Sequence, residues 1–144
     1  MGYRSDVALG IVFADAAKLK DFALKVMAFQ PQEVREALEQ YSASEDSDAM
    51  IFAFLEQWKW YASYPDVQAH GALQDFAREH GAATAYIRVG EDDDDVEKDF
   101  MEPSQVPADA DPEQVNQLMN ILYGNFEIRT QIICPEGGKP LEFN

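Results

Sequence analysis

The sequence predicts an α/β (α+β) two-layer sandwich, a ferredoxin-like variant in which helices pack on one small sheet. Three observations carry this reading. Short apolar runs of strand length recur along the chain: VALGIVF, AMIFAFLEQWKWY, ATAYIRV and FEIRTQIIC. Between them lie stretches with apolar residues at helical spacing, so the order is β, α, α, β, α, β, acidic loop, α, β. Finally, 144 residues with 47% hydrophobic and 12% aromatic content suit a single domain, residues 1–144, with a packed core.

Each element has a local cause. Val7, Leu9, Ile11 and Phe13 alternate with Ala8, Gly10 and Val12, which makes the first strand apolar on both faces. Asp15 stands where a helix N-cap belongs, and Leu19, Phe22, Ala23, Val26 and Met27 then recur at helical spacing over about 16–28. Pro31 opens a second helix, PQEVREALEQY. SASEDSD reads as a polar turn before the long run AMIFAFLEQWKWY, taken as the second strand. Pro65 starts a third helix whose apolar face is Val67, Ala69, Leu73, Phe76 and Ala77, and Gly81 stops it. ATAYIRV is the third strand. Asp111-Pro112 caps a short helix through Leu118 and Leu122, and FEIRTQIIC is the last strand. The tail near 135–144, PEGGKPLEFN, is expected to be loosely held.

The formal charge is −16, and it is concentrated. Between residues 91 and 113 there are eleven acids and one base, Lys98. With Pro103, Pro107 and Pro112 nearby, the stretch near 91–111 reads as an exposed acidic loop. Such a balance argues against direct nucleic-acid binding through phosphates, and against attraction to anionic membranes. No apolar run approaches the length of a membrane span, and MGYRSDVALGIVFADAAKLK lacks a secretory pattern. Cys134 is the single cysteine, so no intrachain disulfide forms and a cytoplasmic location is expected.

GEDDDDVEKD (90–99) is the densest charge cluster. As an EF-hand it fails: starting at Asp93 gives Asp93, Asp95 and Glu97, but Lys98 replaces the glycine and Ser104 the final acid. Weak divalent binding by Asp92 to Asp95 is one alternative. Another is mimicry of nucleic-acid charge, to which Glu33, Glu36 and Glu39 would add a negative helix face. A solvated turn is the bland reading. Arg88 or Arg4 is placed to pair with Asp6 or a cluster acid where the strand ends. Trp58, Trp60, Tyr61 and Tyr64 form the densest aromatic patch. Trp58 and Trp60 would share one strand face against the core, leaving Tyr61 and Tyr64 at the junction with the next helix.

Enzyme signals are thin. His70 and His80 are ten residues apart and cannot share a metal as helical neighbours. No phosphate loop, nucleophile elbow or Cys–His constellation is present, and no cofactor is expected. A non-catalytic role follows.

YRSDVALGIVF, WKWYASYPDVQA and IRVGEDDDDVE together resemble a family of small bacteriophage and prophage proteins. The match covers about residues 3–13, 57–70 and 86–97. The resemblance implies a phage accessory or host-directed inhibitor. The expected partner is a protein with a basic surface, met by Glu91, Asp92, Asp93, Asp94 and Asp95 as steering charge and by Tyr61 and Tyr64 as anchors. An unpaired FEIRTQII edge is one route to a homodimer, and Glu127 and Arg129 on it are equally suited to protect that edge, which leaves the oligomeric state open.

Overall fold

Val7, Ala8, Leu9, Ile11 and Val12 are each no more than 1% exposed, because their strand is covered on both faces. That strand is β1 (Ser5–Val12). The computed structural model describes residues 3–92, 94–106, 111–128, 132–135 and 137–141. After β1 the chain forms α1 (Ala16–Phe29), α2 (Gln32–Glu39), β2 (Ser42–Ala43), β3 (Met50–Trp58), α3 (Pro65–Glu79), β4 (Ala83–Gly90) and β5 (Val96–Met101). It continues through α4 (Pro112–Asn125), β6 (Glu127–Ile128), β7 (Ile132–Ile133) and β8 (Lys139–Pro140). No helix of the described residues is long and apolar enough to cross a membrane.

The main sheet is antiparallel with strand order β5-β4-β1-β3-β2-β8. Its inner order β4-β1-β3-β2, with helices after β1 and after β3, is the split βαβ arrangement of the ferredoxin-like sandwich. Odd-numbered side chains of β1 (Val7, Leu9, Ile11) pack with Phe22, Val26, Leu38 and Leu73 from α1, α2 and α3. The even-numbered side chains Ala8 and Val12 turn to Leu118, Met119, Leu122 and Phe126. The mixed sandwich is as expected, and α4 adds a partial third layer on its other face. Gly10 makes room for that layer: a Cβ there would run into the Phe126 ring.

The caps act as read. Asp15 accepts from the Lys18 amide at 2.8 Å, and Asp111 from the Glu113 amide at 2.9 Å. Each such bond satisfies an orphan donor of the first turn, a contribution of about 1 kcal/mol.

Five expectations are corrected. The acidic stretch is not one loop, since 96–101 is the edge strand β5, paired from Val89↔Val96 to Thr84↔Met101. Alternation explains this: Phe100 packs toward the α4 side, while the charged residues sit on an edge where solvent keeps them hydrated. FEIRTQIIC is not one strand either. Glu127 pairs with Ile133 and Ile128 with Ile132, outside the main sheet, and 129–131 lie outside the described residues. SASEDSD contributes β2, and 139–141 of the tail return to it: Ser42 pairs with Pro140, and Leu141 packs against the core, while 136 and 142–144 lie outside the described residues.

The fifth correction is at the end of β3. The pairing steps from Val7↔Leu55 to Ser5↔Trp58, so β3 carries one extra residue there. Gln57 sits at φ 56°, its amide bonded to Asp6 Oδ1 at 2.9 Å and its carbonyl accepting from Arg4 Nη1 at 2.9 Å. The strand therefore ends at Trp58 rather than running on to Tyr61.

Candidate functional site

The extra residue in β3 decides which way the aromatics face. Ile51, Ala53 and Leu55 point to the α1–α3 side, and strict alternation would send Trp58 to the other. The bulge returns Trp58 to the α1–α3 side, and Trp60 packs there too. Both rings then surround His70 of α3, with centroids at 6.3 and 5.7 Å, and Tyr41 closes it at 6.1 Å.

On β4 the face toward the helices carries Thr84, Tyr86 and Arg88, the opposite face Ala83, Ala85 and Ile87. The β4–β5 end of the sheet thus meets α3 with a phenol and a guanidinium instead of aliphatic groups. Between them lies a cavity of about 500 Å3, whose wall includes Tyr3, Trp60, Tyr61, His70, Tyr86 and Arg88, with Asp95 and Glu97 at the same wall. That volume lies in the range of small-ligand sites.

Arg88 organises the polar side. Its Nη2 is 2.6 Å from Asp95 Oδ1, its Nη1 3.1 Å from Asp95 Oδ2 and 3.0 Å from Ser5 Oγ, and its Nε 2.6 Å from Glu97 Oε1. The Arg88 side chain is only 12% exposed. The bonds to Asp95 raise its affinity for the proton further, so it stays charged at every accessible pH. Reciprocally, Arg88 and the Tyr3 hydroxyl pull the Asp95 carboxyl down to about 2.

Tyr3 is the connector. Its hydroxyl donates to Asp95 Oδ2 at 2.7 Å and accepts from the Asp92 amide at 3.0 Å, while its own amide donates to the Tyr61 hydroxyl at 2.6 Å. One residue near the start of the chain therefore joins the acidic turn to the aromatic patch. The turn also closes on itself: Gly90 N–H donates to Asp95 O at 2.8 Å, and Asp95 N–H to Asp92 O at 3.0 Å.

His70 is 1% exposed. Its Nε2 lies 2.6 Å from Gln40 Oε1, and since a carboxamide oxygen only accepts, Nε2 carries the proton. Nδ1 is then an acceptor, buried without a partner among the described residues. Burial lowers the imidazole to about 4, with nearby Asp66 opposing the shift, so the ring is neutral at pH 7.

The expected site residues divide into distinct groups. Glu91 accepts from the Arg4 amide at 3.0 Å, and Asp92 and Asp94 are exposed on the turn. Asp93 lies outside the described residues. Asp95 does not belong with the open steering charges: its carboxylate is engaged by Arg88 and Tyr3, and it fixes the turn. Tyr61 and Tyr64 meet edge to face at 5.0 Å, with Tyr64 39% exposed. Arg88 pairs with cluster acids, as one of the sequence options had it, whereas the Arg4 guanidinium binds the Gln57 carbonyl.

Tyr3, Trp60, His70, Tyr86 and Glu97 were not marked by sequence reasoning as parts of one site. A signal was present in ATAYIRV, where Thr84, Tyr86 and Arg88 fall on alternate positions and so share a polar face. Among the described residues no group of three or more His, Cys, Asp or Glu is placed to hold a metal ion. No family model, curated protein or solved structure matches the chain.

Proposed function

We propose that this protein is a non-catalytic binding module for a basic protein surface, with the β4–β5 turn and the adjoining aromatics as the contact. The observation that carries the reading is the Arg88–Asp95–Tyr3 fixture. It fixes the backbone of the turn that carries the exposed Asp92 and Asp94, with Glu91, and joins that turn through Tyr3 to Tyr61, which meets Tyr64 edge to face. Preorganised like charge raises the rate of encounter with a basic partner, and adjacent tyrosines supply area at low entropic cost.

A binding role also fits the state of the titratable groups. Asp95 is held near pKa 2 and engaged, and His70 is neutral and enclosed, so neither is poised as an acid or base near pH 7. The resemblance to phage and prophage proteins supports a host-directed accessory or inhibitory role in the host cytoplasm.

The test is recovery of partners from host-cell lysate by the wild-type chain and by an Asp92→Asn/Asp94→Asn variant, at low and high salt. Asp95 is left intact because its loss would disturb the turn. A basic protein captured by wild type at low salt, and lost with the variant or with salt, upholds the reading. If duplex DNA then displaces the chain from that partner, the contact is nucleic-acid mimicry. Equal recovery by both chains at both salts overturns the proposal.

A further inference from the structure

The cavity between α3 and β4 is lined by two carboxylates, Asp95 and Glu97, and one guanidinium, Arg88. Its strong donors are already engaged: Arg88 by Asp95, Glu97 and Ser5, Trp60 Nε1 by the Tyr86 hydroxyl at 3.0 Å, and Gln74 Nε2 by the Ala85 carbonyl at 2.9 Å. The Tyr3 hydroxyl is spent on Asp95. What the wall still offers is the hydroxyls of Tyr61 and Tyr86, which here accept and can also donate, the Glu97 carboxylate and aromatic surface. Glu97 is half exposed, with a second carboxylate oxygen. Four aromatic side chains, Tyr3, Trp60, Tyr61 and Tyr86, stand around the space.

Charge points the same way. Asp95 and Glu97 outnumber the single Arg88, and His70 adds no positive charge at pH 7 because it is neutral. Asp66, in the first turn of α3, adds a further negative charge near His70. An anion would face two carboxylates with the guanidinium already committed. A group suited to this wall brings N–H donors, positive charge and a CH2 stem that lies against aromatic rings.

We infer that the cavity is a receptor for an alkylammonium group, namely the side chain of a lysine presented by the partner. The inference rests on the binding role proposed above and deepens it: the exposed acids of the turn steer a basic surface, and one lysine of that surface is inserted and read by the aromatic wall. Aromatic faces and carboxylates together attract an ammonium more strongly than either does in water, since the wall is partly desolvated.

The experiment uses the full chain and defined probes, with the Trp60 indole N–H followed by NMR. N-acetyl-lysine-methylamide is titrated against N-acetyl-norleucine-methylamide, its uncharged analogue, and choline against uncharged 3,3-dimethylbutanol. The lysine probe is expected to shift the Trp60 indole signal and to bind about tenfold more tightly than the norleucine probe. Glu97→Gln, a change at a half-exposed side chain, is expected to weaken the lysine probe several-fold while leaving the norleucine probe unchanged.

Equal binding of lysine and norleucine probes would make the cavity a plain apolar recess and overturn the inference. Binding of choline without the lysine probe would also overturn it, assigning the space to a free onium ion. Absence of any Trp60 shift does the same. If the lysine probe fails while the lysate partner is still captured through Asp92 and Asp94, only the cavity inference falls and the wider binding reading stands.

Discussion

Arg88 and Asp95 hold each other across the turn between β4 and β5, with Nη2 2.6 Å from Oδ1 and Nη1 3.1 Å from Oδ2. The pair is flanked by Glu97 and Ser5 on Arg88 and by Tyr3 on Asp95, so five side chains from two parts of the chain close one network. Its planar fork is something a lysine cannot reproduce. Arg88→Lys is expected to lower the melting temperature by roughly 3–6 °C despite keeping the charge. Calorimetry checks this, and an unchanged transition would show that the fork geometry contributes nothing. Because Asp95 is held at about 2, below its ordinary value, the stabilisation it brings is present above about pH 4 and is lost as pH falls toward 2.

Gly90 lies under the same network. A Cβ at this position would press on the Tyr3 hydroxyl and on Asp95 Oδ2, both of them ends of side chains that can swing away. Gly90→Ala is therefore expected to part Tyr3 from Asp95 without unfolding the sheet. Tyr3→Phe should have the same local result. In both variants the Asp92 amide, which donates to the Tyr3 hydroxyl, loses hydrogen-exchange protection while the amides of β1 keep theirs. Retained protection at Asp92 would contradict the connector role of Tyr3.

His70 gives the chain an acid-sensitive element. Its folded value of about 4 is below the ordinary 6.5, so between those values the unfolded chain binds the extra proton. Stability accordingly falls as pH drops from about 6.5 to 4, by up to roughly 3 kcal/mol, and this contribution levels off below 4. Urea unfolding at intervals between pH 4.5 and 7 measures the slope. A His70→Phe chain should show a flatter profile over that window. An equally steep profile in the variant would place the titration elsewhere.

Gln57 is held in left-handed backbone by the bonds to Asp6 and Arg4. Gln57→Gly removes the steric penalty of that conformation and is expected to leave stability unchanged or raise it by up to about 1 kcal/mol. Gln57→Val should cost about 1–2 kcal/mol at the same place. Denaturant midpoints compare the two, and a Val variant as stable as wild type would mean that the bulge is not maintained.

Most of the frame was legible along the chain. The alternation of β1, the caps at Asp15 and Asp111 and the helical spacing of Leu19, Phe22 and Val26 are local signals, set by side-chain size and backbone preference over a few residues. They explain why the order of strands and helices, and the mixed sandwich they build, followed from residue pattern. β5 was not legible, because an edge strand with charges on it shares its composition with a loop and differs only in having β4 beside it. The short strands β2 and β8 escaped for a similar reason: Ser42 pairs with Pro140, and two residues leave no periodicity to read.

By itself, then, the sequence determined the mixed sandwich, its covered central strand and the concentration of negative charge near residue 92. Those properties depend on composition and on neighbours a few positions away. Only the tertiary structure decided what the acids and aromatics do together. Tyr3 and Asp95 are 92 positions apart, and no local preference predicts their hydrogen bond. The extra residue at the end of β3 is equally invisible in a linear pattern, yet it turns Trp58 toward the face where His70, Trp60 and the cavity lie. Side chains alternate with period two along a strand, so one added residue exchanges its faces, and the partner strand alone reveals where that residue falls.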